Sequence, residues 1–174
     1  PVAVNLFAPS FDDADLPDRL IAALGGHGLA ATELTLEITE ELVIQNVPGG
    51  APGLGSLREC GIRVSVDDFG SGFGGLHYLR ELPVDEVKLD REFVMPILED
   101  RRTASIVRAV IELAPRRPRG VTCVAEGVES AAVAARLREY GCDLAQGGYH
   151  FSPPIAATEL LETLTNLDPQ ATRS

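Results

Sequence analysis

The sequence predicts an α/β fold of the TIM-like (β/α) barrel type, incomplete at its amino end, with about six βα units present. Three observations carry this reading. Strand and helix signals alternate along all 174 residues, which implies parallel strands joined by right-handed crossovers. The strands also alternate with a period of two. Ala3 and Asn5, Thr35 and Glu37, Ser65 and Asp67, Glu86 and Lys88, and Val124 and Glu126 share one side. The opposite side carries Val2, Val4, Leu34, Leu36, Val64, Val66, Val87, Leu89, Cys123 and Ala125. An open sheet covered by helices on both faces favours near-continuous apolar strands, whereas this pattern suits a barrel interior rising to a polar mouth. Finally, each apolar run ends on a polar residue. The steps from Asn5 through Glu37, Asp67, Lys88 and Glu126 to Gln146 are 32, 30, 21, 38 and 20 residues. Each step is one strand plus one helix, and barrel enzymes place their chemistry at the carboxyl ends of successive strands.

The elements follow in order. Residues 2–5 read as a strand and 12–24 as an amphipathic helix stopped by GGHG. Residues 33–38 form a strand, followed by the Pro/Gly-rich VPGGAPGLG and a helical turn over 54–60. Residues 62–67 form a strand, DDFGSGFGG a loop, 75–80 a short helix and 85–89 a strand. A helix spans 100–114, and APRRPRG is a basic turn whose prolines exclude regular structure. Strand 121–125, helix 129–140, a short strand near 143–146 and helix 156–164 complete the pattern. Residues 1–165 read as one domain and 166–174 as a frayed tail. Eight strands close such a barrel, so the chain is read as starting part-way through it.

A hydrophobic content of 45% and a charged content of 24% suit a globular protein. No apolar run has the length of a membrane span, and no signal peptide is read. Cys60, Cys123 and Cys142 are widely spaced, without a CxxC pair; they read as reduced, mostly buried thiols of a cytoplasmic protein. A net charge of −11 argues against a DNA or RNA polymer as partner. It leaves room for a phosphate ligand, because bound divalent cations reverse the local sign.

The strand-end residues suggest a metal site. Asn5, Glu37, Asp67 and Asp68 offer only oxygen, the donor preferred by Mg²⁺ or Mn²⁺. His27, His77 and His150 fall in turns or helices and read as surface or structural. At a strand end the chain turns, so both carboxylates of Asp67–Asp68 can face one site and serve two metals. Such a pair of metals activates water and stabilises the leaving oxygen of a phosphoryl displacement. Taken alone, the Asp pair reads first as an acidic turn; Asn5, Glu37 and Glu126 at matching strand ends reverse that preference. Lys88 suits orientation of a water or compensation of phosphate charge, or a rim pair with Asp90. Glu126 suits a ligand or a general base, and Gln146 a hydrogen bond to ligand or water. FGSGFGGL is glycine-rich but lacks the lysine and hydroxyl of a phosphate-binding P-loop, and reads as a catalytically placed loop.

These residues resemble the EAL domain, the bacterial phosphodiesterase of cyclic di-GMP. The resemblance runs from Val2 to about Ile155. It rests on VNL, LTLEITEELVI, VDDFGSGFGGLHYLRELPVDEVKLDREFV, VAEGVES and AQGGYHFSPP, in family order and at family-like spacing. It implies that Asn5, Glu37 and Asp67 hold one divalent metal, that Asp68 serves a second, and that Glu126 lies close by as a candidate base. It places Lys88 on the attacking water and Gln146 in the site. Asp90 and Glu129 are supporting residues, and Glu40 steadies the loop after Asp68. The implied reaction is hydrolysis of cyclic di-GMP to linear pGpG. The resemblance further implies a barrel with one reversed strand, a homodimer formed through that loop, and an upstream GGDEF or sensory domain. The chain departs from the family in several places. The Glu-Ala-Leu tripeptide and the arginine after it are absent, their place lying upstream of Pro1. The loop carries Ser71, Phe73, Gly74 and Gly75. Gly147–Gly148 adds a glycine after Gln146, and Pro153 stands where a basic residue is expected. These departures leave open a degenerate domain that binds cyclic di-GMP, or only a protein, without turnover.

Overall fold

The computed structural model describes residues 1–46, 52–70, 83–114, 120–148 and 155–166. Six strands form one sheet: β1 (Val2–Asn5), β2 (Leu34–Thr39), β3 (Arg63–Phe69), β4 (Glu86–Leu89), β5 (Thr122–Ala125) and β6 (Leu144–Ala145). They lie side by side in chain order, and every neighbouring pair is parallel. A doubly wound sheet reverses its order at a switch point, and no reversal occurs here. The sheet curls into part of a TIM-like barrel, as the alternation predicts. The reversed strand implied by the resemblance is not among the described residues.

Seven α-helices accompany the described strands: α1 (Leu16–Gly26), α2 (Glu40–Asn46), α3 (Pro52–Glu59), α4 (Arg91–Val94), α5 (Arg101–Leu113), α6 (Ala131–Tyr140) and α7 (Ala157–Asn166). Their boundaries follow local chemistry. The Asp100 carboxylate accepts from the Arg102 N–H at the start of α5, and the Ser130 hydroxyl accepts from the Val133 N–H at the start of α6. Both satisfy amide donors that a helix start leaves unpaired. α6 ends at Gly141, whose φ of 81° lets the chain turn back into β6. Val107, Val110 and Ile111 of α5, and Val133 and Leu137 of α6, are buried at helical spacing.

The core lies between the sheet's outer face and these helices. Leu34, Leu36, Ile38, Val64, Val66, Val87, Leu89, Cys123 and Ala125 all belong to it. The other face buries Thr35, Glu37, Ser65, Glu86 and Lys88. The period-two reading therefore separates apolar core from polar interior in β2, β3 and β4. β1 is an edge strand, with Val2 and Val4 58% and 47% exposed.

Three differences from the sequence reading have local causes. The helix expected over 12–24 starts at Leu16, after a 3₁₀ turn over Ala8–Asp12. An aspartate turn, with Asp13 accepting from the Asp15 N–H and from Arg19, precedes it. α2 follows β2 without a loop; Glu40 and Glu41 open it, where negative charge favours a helix start. β3 runs through Phe69 instead of stopping at Asp67. The expected helix 75–80, most of APRRPRG, and the tail from residue 167 lie outside the described residues.

Candidate active site

The Asp67–Asp68 pair is built by a register shift. Val66 is opposite Val87, but Phe69 is opposite Leu89. Two β3 residues thus face the single residue Lys88, which is a β-bulge. Asp68 takes up the extra length with a φ of 53°, the single positive value among described non-glycine residues. Phe69, 2% exposed, fastens the far side of the bulge into the core. This corrects the expectation that a turn at the strand end brings the two carboxylates together. Adjacent strand residues point to opposite faces; the bulge cancels that alternation inside the strand. As a result Asp67, Asp68 and Glu126 each present an oxygen within 4.8 Å of the others.

Lys88 sits beneath them. Its Nζ lies 2.6 Å from Glu126 Oε1, 2.9 Å from Glu37 Oε1 and 3.0 Å from Asp67 Oδ1. It is 5% exposed. The register that pairs β4 with β3 and β5, and β3 with β2, brings these groups together. The structure does not place Lys88 in a rim pair with Asp90. Asp90 instead caps α4, accepting from the Glu92 N–H at 2.7 Å. That bond fixes the chain just past Lys88.

The remaining predicted residues lie on adjoining elements. Asn5 is exposed on β1, in register with Glu37. Glu40, buried at the start of α2, accepts from the Gly70 N–H at 2.8 Å. That bond holds the backbone just past the bulge. Gln146 follows β6; its N–H donates to Ala125 O and its carbonyl accepts from the Val128 N–H. These bonds place the start of AQGG beside the end of β5, while the Gln146 side chain is exposed. Gly147 permits this docking, because a Cβ there would lie 2.3 Å from Val128 O. Gly127, with φ 66°, allows the chain after Glu126 to pass Arg91, where a Cβ would come within 2.6 Å of the Arg91 Cβ. Glu129 is exposed, with Oε2 beside Gly148.

A second polar layer lies one inward step below Lys88. Glu86 accepts from the Ser65 hydroxyl at 3.0 Å and pairs with Arg63 at 3.3 Å. Sequence reasoning placed Ser65 and Glu86 on the interior side but gave them no part in the site. The signal was present: each stands two residues before a site residue on its own strand. Ser71, Phe73, Gly74, Gly75 and His77, and Tyr149, His150 and Pro153, lie outside the described residues.

The electrostatics favour a bound cation. Four carboxylates, Glu37, Asp67, Asp68 and Glu126, surround one ammonium. Burial lowers the proton affinity of Lys88, but its contacts with Glu126, Glu37 and Asp67 outweigh this and hold it above the ordinary lysine range. Burial, aided by Asp67 and Glu37, raises Glu126 against the opposing pull of Lys88. Burial and the Asp67 charge raise Asp68 as well. Carboxylates pushed up in this way mark an excess of negative charge. A donor set of carboxylate oxygens suits a hard divalent ion and disfavours zinc, so the residues present fit the metal class that the sequence suggested.

Comparison with known proteins agrees with this geometry. The EAL domain family model matches residues 1–154. The chain is 44% identical over 163 residues to the cyclic di-GMP phosphodiesterase NbdA of Pseudomonas aeruginosa, covering 94% of this chain and 20% of that protein. It is 36% identical over 159 residues to the oxygen sensor protein DosP of Escherichia coli, covering 91% and 20%. The chain thus spans about a fifth of the length of these relatives. Among solved structures, a phosphodiesterase PaMucR complex with c-di-GMP superposes with a TM-score of 0.80 at 37% identity, covering 91% of this chain and 63% of that one. A manganese and cyclic di-GMP complex of Klebsiella pneumoniae BlrP1 superposes at 0.79 and 33%, covering 87% and 38%. With the curled parallel sheet and the carboxylate-ringed lysine in place, the chain belongs to the EAL domain family.

Proposed function

We propose that this domain, residues 1–165, hydrolyses one phosphodiester of cyclic di-GMP to give linear pGpG, with Mg²⁺ or Mn²⁺ as cofactor. The observation that carries the reading is the bulged Asp67–Asp68 pair converging with Glu126 over the buried Lys88. A pure binding module has no need of four carboxylates crowded around one ammonium. In this reading Glu37, Asp67 and Asn5 hold one metal, and Asp68 and Glu126 hold or flank a second. The metals, when bound, supply Lewis acidity that activates water and offsets charge on the phosphoryl oxygens. Lys88, fixed by its three carboxylate contacts, donates a hydrogen bond that orients the attacking water. Glu126, whose burial raises its proton affinity, accepts that water's proton. Gln146 hydrogen-bonds the ligand, while Glu40, Asp90 and Glu129 hold the surrounding backbone.

The relatives also support a module within a longer polypeptide. One, MucR of Pseudomonas aeruginosa, is a bifunctional diguanylate cyclase and cyclic di-GMP phosphodiesterase. We assign this chain the output role beside a GGDEF or sensory domain, with homodimer formation through the loop after Asp68. The test is chromatographic assay of cyclic di-GMP conversion by the full protein with Mg²⁺ or Mn²⁺. Turnover should vanish in Glu37→Ala and Asp67→Ala. Tight ligand binding without product in either metal would replace this reading with that of a receptor.

A further inference from the structure

Cys123 and Cys142 form a thiol pair that the proposed catalysis does not use. Cys123 lies in β5, 1% exposed, three residues before Glu126. Cys142 follows Gly141 and leads into β6; its amide donates to Leu137 O, which turns it back onto β5. The Cys142 Sγ sits 3.4 Å from Cys123 O and 3.2 Å from Leu144 O, and Cys142 packs against the core that holds Cys123. Asp143 clamps the same place twice: its N–H donates to Cys123 O, and its carboxylate accepts from the Cys123 N–H at 2.8 Å.

The register fixes the backbone geometry. Val124 is opposite Leu144, so Cys142 is offset by one residue from the position opposite Cys123. Strands about 4.8 Å apart with a rise of about 3.3 Å per residue place the two Cα atoms about 6 Å apart. That separation is within the Cα span of a disulfide. Access differs between the two. Cys142 is half-buried and faces a cleft of about 140 Å³ lined also by Ala134, Leu137, Arg138 and Leu144. A small oxidant therefore reaches Cys142 before the buried Cys123. The neighbouring Cys123 draws the Cys142 thiol below its ordinary range against burial and the Asp143 charge, while Cys142 and burial push Cys123 up.

We infer that Cys142 and Cys123 are an oxidation site, with Cys142 the attacking thiol and Cys123 the resolving one, closing a reversible disulfide under hydroperoxide. The Cys142 thiolate attacks a peroxide oxygen; the O–O bond breaks, leaving Cys142 sulfenic acid and hydroxide, which is protonated to water. The Cys123 sulfur then attacks the Cys142 sulfur. The S–O bond breaks, and hydroxide departs with the Cys123 proton as a second water. Two thiols are oxidised and one peroxide is reduced. The bond ties β5, which leads to Glu126, to the segment that leads to Gln146. The inference is independent of the phosphodiesterase reading.

The test is hydrogen peroxide treatment of the folded protein, alkylation of the remaining thiols, and peptide mapping without reductant. A Cys123–Cys142 cross-linked peptide is expected, with Cys60 alkylated and all three thiols recovered after dithiothreitol. Cys60→Ser should give the same map. The bridge closes a loop of about 20 residues, so the folded-to-unfolded ratio should rise by roughly two to three hundredfold on oxidation. Cross-links through Cys60, or Cys142 driven to sulfinic acid with Cys123 still free, would overturn the assignment. So would an oxidised protein that unfolds no later than the reduced one. Wild type and Cys60→Ser suffice for these readouts if Cys142→Ser fails to fold.

Discussion

Replacing Lys88 with methionine tests the site at its centre. Methionine keeps much of the lysine stem's volume and removes only the ammonium. That ammonium meets three carboxylates at 2.6 to 3.0 Å. At an effective dielectric constant of about 20, each contact is worth about 6 kcal/mol of attraction. Repulsion among the carboxylates and the desolvation of all four groups offset most of this. Removing one partner of a buried ionic cluster leaves a net loss of about 3–5 kcal/mol, because the remaining charges stay buried and unpaired. Urea unfolding of metal-free wild type and Lys88→Met at neutral pH should show this loss. The pH dependence has a definite sign. Glu126 and Asp68 are raised in the folded state, so in the folded protein they bind protons more readily than in the unfolded chain. Stability therefore falls as pH rises through their folded values. Without Lys88 the rise is larger, so the gap between variant and wild type should narrow as pH is lowered toward the carboxylate range. Added Mg²⁺ should likewise stabilise the variant more than wild type; tenfold tighter binding corresponds to about 1.4 kcal/mol. A variant equal to wild type in stability at neutral pH and without metal would refute the claim that the carboxylates depend on this ammonium.

Three further outcomes are expected. Asp68→Gly relieves the left-handed backbone at φ 53° and removes a crowded carboxylate. It should raise the unfolding free energy by about 1 kcal/mol while turnover is lost; a lower melting temperature would show that the bulge is not strained. Gly127→Ala places a methyl 2.6 Å from the Arg91 Cβ at a φ of 66°. A destabilisation of about 1–3 kcal/mol in chemical denaturation is expected, with an unchanged midpoint as the contrary result. Glu40→Gln weakens the charge-assisted acceptor for the Gly70 N–H, at about 1–2 kcal/mol. Turnover should fall more than ligand affinity, because the bond steadies the chain just past Asp68; equal changes in both would contradict that role.

Much of the fold follows from local pattern. The alternation of strands and helices and the shared phase of Thr35 with Glu37, Ser65 with Asp67, and Glu86 with Lys88 require a parallel sheet with a polar interior, since burying either phase the other way would strand charges in the core. α5 and α6 follow from their caps and apolar spacing. The sequence was less informative after β2: no element is read between strand 33–38 and the Pro/Gly-rich stretch, where the structure has α2.

For the site, the residue types and their recurrence at strand ends determine an oxygen-rich centre on one rim, because parallel strands in sequential order all deliver their carboxyl ends to the same side. Spacing could not determine that Asp67 and Asp68 point together. That depends on an extra residue between the Val66–Val87 and Phe69–Leu89 pairs, a register relation between strands that no single segment contains. Nor could it choose between Asp90 and the carboxylates as the partners of Lys88; four strands had to be packed before the ammonium reached Glu37, Asp67 and Glu126 at once. Sequence sets which groups are available, and the register between strands sets which of them meet, because each pairing is fixed by backbone hydrogen bonds to a neighbour far away in the chain.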